Sequence, residues 1–121
     1  MKGHRVTFTV FNNEPDVRPF SAGQVIFQEG QPGDVMYAVL EGEVEINRQN
    51  RVLETIPAGG VFGEMALIDQ QPRVASAVGK NEGRVAAITA KRFQVLVSQN
   101  PPFALQMLQL LAERVRRNLE S

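Results

Sequence analysis

The chain has 121 residues, no cysteine, and 13 basic against 13 acidic side chains. It is long enough to bury one core. It can hold no disulfide, thiolate metal site or cysteine nucleophile, and it has no net field to draw nucleic acid or an anionic membrane. The opening MKGHRVTFTV alternates instead of forming an apolar leader, and no apolar run could span a bilayer, so a soluble cytoplasmic protein of one domain over residues 1–121 is expected, with no membrane partner.

Residues 5–11 (RVTFTVF) and 24–28 (QVIFQ) carry β-branched and aromatic side chains at period two and predict strands, while 35–42 (VMYAVLEG) is apolar enough for a strand buried on both faces. Gln31-Pro32-Gly33-Asp34 fits a type II turn, with Gly33 supplying the positive φ. Gly42 marks a tight reversal into 43–48 (EVEINR). There Val44 and Ile46 face one way and Glu43, Glu45 and Asn47 face water, ahead of a polar turn at Gln49 and Asn50. Residues 74–79 and 84–89 read as two further strands joined through Lys80, Asn81, Glu82 and Gly83. Thr89 then caps a helix over about residues 90–98, and Asn100 with Pro101 opens a second over about 101–119. Phe103, Met107, Leu108, Leu111, Val115 and Leu119 form an apolar stripe on that last helix, opposite Arg114, Arg117 and Glu120. The fold class is mainly β with C-terminal helices: an antiparallel β-roll or jelly-roll-like barrel over about 5–89, then two α-helices.

The chemistry concentrates in residues 62–76, FGEMALIDQQPRVAS, where a glycine-glutamate pair, a short run fit to start a helix and an arginine share one compact loop. Backbone N–H groups at a helix start suit an anion, and a guanidinium adds paired, charge-assisted hydrogen bonds, so Arg73 is the expected phosphate clamp. A phosphate would repel Glu64, whose expected partner is a hydroxyl such as those of a ribose. Sugar and phosphate together point to a nucleotide. The alternative is an ion pair between Glu64 and Arg73 that closes a surface loop, which would not also require glycine, alanine and a helix start at these spacings.

The segment resembles the phosphate-binding cassette of the cyclic nucleotide-binding domain family. Phe62, Gly63, Glu64, Met65, Ala66, Leu67, Pro72, Arg73, Ala75 and Ser76 fit its pattern, and residues 25–46 resemble its glycine-punctuated strands, so the likeness runs from about Val17 onward. It implies a cassette set between two strands of the roll, with the last helix able to pack over the ligand as a lid. It also implies that Glu64 accepts from the ribose 2′-hydroxyl beside the Gly63 N–H, that Arg73 pairs with the cyclic phosphate, and that backbone N–H groups of Ala66 and Val74 complete the cradle. Met65 and Ala75 belong to the same binding set. The implied ligand is cAMP, with cGMP as the other candidate, and no cofactor is required. Guanine-preferring members often carry a hydroxyl residue after the arginine, where this chain has Val74, although a valine there also suits a strand. One departure from the family is the strand-like start at 5–11, where members usually begin with a helical segment.

The last helix has two further readings: ordinary core contact, or a homodimer seam through Leu108, Leu111, Val115 and Leu119. Arg114, Arg116 and Arg117 read as a solvated helix end whose cations complement the macrodipole rather than as a DNA contact. His4, the one histidine, reads as a surface residue and cannot supply the ligand set of a metal-dependent roll enzyme. Ser21, Ser76 and Ser98 lack a histidine base, so no enzyme activity, catalytic residue or metal site is expected. Members that read DNA add a helix-turn-helix, for which no residues remain after Ser121. Direct DNA binding is therefore not expected, and the output is assigned to an unidentified effector protein. A scaffold that dimerises without binding nucleotide is the alternative function.

Overall fold

The structure, a computed structural model, describes residues 6–120, with the side chain of Glu120 excepted. His4 and Arg5, and the readings placed on them, lie outside the described residues. The strands are β1 Val17–Phe20, β2 Val25–Phe27, β3 Val35–Glu41, β4 Val44–Arg48, β5 Arg51–Ile56, β6 Val61–Phe62, β7 Ser76–Gly79 and β8 Gly83–Thr89; the helices are α1 Met65–Ile68, α2 Ala90–Gln99 and α3 Pro102–Glu120. They form two 4-stranded sheets, in the orders β1-β8-β3-β6 and β2-β7-β4-β5, and every pairing is antiparallel. This is the expected roll followed by helices.

Period-two alternation explains how β3 and β8 serve two cores at once. Met36, Ala38, Ala86 and Ile88 face a cluster with Phe103, Met107 and Leu110 of α3. Tyr37, Val39, Val85 and Ala87 face the roll interior with Phe20, Phe27, Val44, Ile56 and Phe62. Thr89 caps α2 as expected, its hydroxyl accepting from the Arg92 N–H at 3.1 Å. Gln49 and Asn50 form the β4–β5 hairpin turn with φ of 53 and 65, the paired left-handed geometry that matches strand twist.

The expected strand over 5–11 does not form. Residues 10–13 make a turn, and the described residues before it join no sheet. The free edge of β8 is taken by β1, so the alternating apolar side chains dock instead of pairing. The Phe8 N–H donates to the Gly59 carbonyl at 2.7 Å, while Phe8 and Phe11 meet the Phe103 ring edge-on at 5.8 and 5.3 Å between centroids. Glu14, buried, then receives two hydrogen bonds from Arg92 at 2.7 and 2.8 Å, which tie this segment to α2.

The turn expected at 31–34 lies three residues earlier. The Gln31 N–H donates to the Gln28 carbonyl at 3.1 Å, and Gly30, not Gly33, holds the positive φ of 88. Gly33 serves a different need: a Cβ there would collide with the Arg73 guanidinium.

Candidate functional site

The cassette connects β6 to β7 through α1. Gly63 leaves β6 at φ 75, a left-handed turn that a side chain would strain and that a Cβ would bring against Arg73 Nη1 and the Phe27 ring. Glu64 follows as the residue before α1, in helical conformation and with no side-chain capping bond, so its carboxylate is directed away from the helix start. The Ala66 N–H reaches the Gly63 carbonyl only at 3.3 Å.

Arg73 is placed by the Gly30 turn. The Gly30 N–H donates to the Arg73 carbonyl and the Arg73 N–H donates to the Gln31 carbonyl, both at 2.8 Å. The guanidinium then runs past Gly33 into the roll, where Nη1 donates to the Gly63 carbonyl at 3.1 Å and Nη2 to the Val35 carbonyl at 2.8 Å. Its Cζ lies 4.1 Å from the centroid of the Phe27 ring, a cation–π contact. Its buried Nε has no acceptor. Burial pushes the Arg73 pKa down, opposed by Tyr37, Asp34 and Glu64; an arginine so perturbed remains a cation at neutral pH.

Glu64 and Arg73 are 6% and 8% exposed, so neither is a surface charge, and Glu64 makes its ion pair with another residue. Arg114 of α3 places Nη1 2.7 Å from Glu64 Oε1, at angles that leave that oxygen without an aligned hydrogen bond. Arg114 Nη2 donates to the Val61 carbonyl at 2.7 Å, and its Nε lies 3.6 Å from Glu54 Oε1. Glu54 Oε2 in turn lies 3.2 Å from Arg117 Nη1. Arg114 is thus not part of a solvated helix end. It reaches inward with its side chain 19% exposed, whereas Arg116 stays exposed and Arg117 is half-exposed.

All seven residues expected at the site, Gly63, Glu64, Met65, Ala66, Arg73, Val74 and Ala75, line one cavity of about 660 Å³, a volume typical of small-molecule sites. Val74 and Met65 stand at its rim, 61% and 42% exposed, while Ala75 and Ala66 are buried. Leu111 and Val115 of α3 also line it. Leu111 and Val115 thus both face the cavity, and Val115 also continues the exposed face of α3 formed by Leu105, Leu108, Ala112 and Leu119, spaced three and four apart.

Sequence reasoning missed Glu54, because β5 has exposed apolar residues and no alternation to announce it. The spacing of three between Arg114 and Arg117 was the available signal, since it puts both on one helix face where a single carboxylate can hold them. Among the described residues, no three His, Cys, Asp or Glu gather as a metal site, and no helix is long and apolar enough to cross a membrane.

A two-sheet roll with a glycine-glutamate loop, a buried arginine and a helix laid across their shared cavity defines the class of small-ligand regulatory domains. Residues 17–100 match the cyclic nucleotide-binding domain family. The chain is 31% identical over 103 residues to the CRP-like cAMP-activated global transcriptional regulator of Mycobacterium tuberculosis, covering 81% of this chain and 46% of the regulator. It is 34% identical over 104 residues to the Cyclic AMP receptor protein of Thermus thermophilus, covering 82% and 48%. The crystal structure of the Thermus thermophilus catabolite activator protein superimposes with a TM-score of 0.78 at 29% identity, covering 92% of this chain and 60% of that one. The chain belongs to the cyclic nucleotide-binding domain family. It spans about half the length of these curated relatives, and domains of this family are regulatory rather than catalytic.

Proposed function

We propose that the chain is a non-catalytic sensor that binds a cyclic mononucleotide, cAMP in preference to cGMP, in the cavity between the cassette and α3. The observation that carries this reading is the pair Arg73 and Glu64: two buried, oppositely charged residues on one cavity wall that do not neutralise each other. The unmet Nε–H of Arg73 is suited to a phosphate oxygen and Glu64 to the ribose 2′-hydroxyl, with the backbone N–H groups of Ala66 and Val74, both on the cavity lining, as further donors. Val74 offers no hydroxyl to a guanine amino group, and the relatives from Mycobacterium tuberculosis and Thermus thermophilus are both named for cAMP.

The bound state is read through α3 by a second copy of this chain and by an effector protein in the cytoplasm, without direct DNA contact from these residues. The exposed seam Leu105, Leu108, Ala112, Val115 and Leu119 has the three-four spacing of a two-stranded coiled coil. One observation favours the alternative of a nucleotide-free dimerising scaffold: Arg114 already occupies the carboxylate meant for the sugar.

Calorimetric titration with cAMP separates the two readings. Binding by the wild-type chain that weakens in Arg73→Ala by about 2 to 5 kcal/mol, the cost of truncating one partner of a buried charge contact, supports the sensor. No heat and no thermal shift with cAMP or cGMP leaves the scaffold.

A further inference from the structure

We infer that a second, smaller cavity behind the cassette binds a compact arylalkylamine, a protonated amine on a single aromatic ring, and that its occupation weakens nucleotide binding through Glu64. The site stands on its own geometry, while the coupling rests on the cyclic nucleotide reading of the larger cavity. The smaller cavity has a volume of about 250 Å³ and lies where β3, the cassette, α2 and α3 meet. Buried Met36 of β3 and Met107 of α3 line it, and Ala90, Phe93 and Gln94, spaced three and four apart on one face of α2, close one side. The Phe93 ring is held against Phe103, at 5.2 Å between centroids. Ala90 and Gln94 are exposed and stand at the mouth.

The lining selects the ligand. Two methionine sulfurs and the Phe93 ring offer polarisable contacts that favour an aromatic ring. An apolar cavity of about 150 Å³ holds benzene, so the larger volume here leaves room for a ring with a short chain. Among the described residues, Glu64 is the one charged group on this wall and no basic side chain lines it, which opposes an anion and favours a cation. Arg114 lies 2.7 Å from the buried Oε1 of Glu64 without an aligned hydrogen bond. A carboxylate offers about four lone-pair directions, so an ammonium can bond Glu64 beside that arginine. Glu64 also lines the larger cavity and is the partition between the two. An ammonium that bonds it from behind takes acceptor capacity from the sugar hydroxyl, and by linkage the nucleotide weakens the amine by the same factor.

The test adds phenethylamine, phenethyl alcohol and hydrocinnamate, which share a ring and an ethylene chain, at neutral pH to the chain with carbon-13 methionine methyls. Phenethylamine is expected to shift Met36 and Met107 more than Met65 at the rim of the larger cavity, and to bind at least about tenfold more tightly than the carboxylate, with the alcohol between them. Ala90→Leu adds bulk at the mouth on an exposed helical position and is expected to weaken the amine by about fivefold or more. Undisturbed Met36 and Met107 signals, or a carboxylate that binds as tightly as the amine, overturn the site. With the amine at saturation, calorimetric cAMP affinity is expected to fall by roughly fivefold or more. Unchanged cAMP affinity overturns the coupling. A chain that takes the amine but no cyclic nucleotide overturns the coupling and the reading of the larger cavity, and leaves the amine site standing. The comparison of the three probes in the wild type decides the site even where the variant folds poorly.

Discussion

Arg114, three turns into α3, lies 2.7 Å from Glu64 at the start of α1, so the last helix and the cassette are held together by an ion pair inside the cavity they share. The same guanidinium donates to the Val61 carbonyl and neighbours Glu54, which makes Arg114 the polar centre of the contact between helix and roll.

Removing it should therefore be felt as stability. Arg114→Ala leaves a buried carboxylate and a strand carbonyl without their partner, and we expect a loss of about 1 to 3 kcal/mol, between the ranges for exposed and fully buried pairs. Urea denaturation followed by circular dichroism checks this. A midpoint unchanged from wild type would mean the ion pair contributes nothing net.

Gly33→Ala tests whether the space beside Arg73 matters to binding. Gly33 has no positive φ, so alanine costs nothing in the backbone, but its Cβ would displace the Arg73 guanidinium. Nucleotide affinity is expected to fall by about tenfold or more, approaching the effect of losing the charge contact itself. Equal affinity in a calorimetric titration would show that the arginine has another way into the site.

Leu108→Glu places a charge on the exposed seam of α3, where Leu108 is 62% exposed. The expected outcome is a folded protein whose mass by light scattering drops from two chains to one, because like charges would face each other across the seam. A wild-type chain that is already monomeric would remove the seam from the mechanism.

Asp16 gives a prediction in pH. Hydrogen bonds from Arg18 at 3.1 and 2.9 Å hold its carboxyl below the ordinary 3.8. A depressed folded pKa contributes stability above 3.8 that is lost as pH falls through the lower folded value. Both side chains are about half-exposed, so Asp16→Asn should cost about 0.5 kcal/mol or less at neutral pH. The difference from wild type should vanish in urea titrations near the acid limit of folding; a difference that instead grows with acid would reverse the assignment.

The roll was legible where periodicity was strong. Residues 35–42 and 84–89 announced strands because both faces are apolar, and Thr89 announced its helix by its own hydroxyl. β1 was hidden by Pro19, which an edge strand tolerates because one side of it needs no donor. The alternation in Val6, Phe8 and Val10 suggested a strand, yet Phe8 and Phe11 are satisfied by the Phe103 ring, a tertiary contact that local pattern cannot encode. The cassette residues were legible because backbone shape, charge and spacing all fall within fifteen consecutive positions. Arg114 and Glu54 were not, since 60 positions separate them and only the laying of α3 across β5 brings them together.

Because β3 and β8 each present alternate side chains to opposite interiors, the two interiors share one wall. Disrupting the contacts beneath the helices must loosen the barrel as well, and heat should dismantle the whole in a single calorimetric event rather than layer by layer.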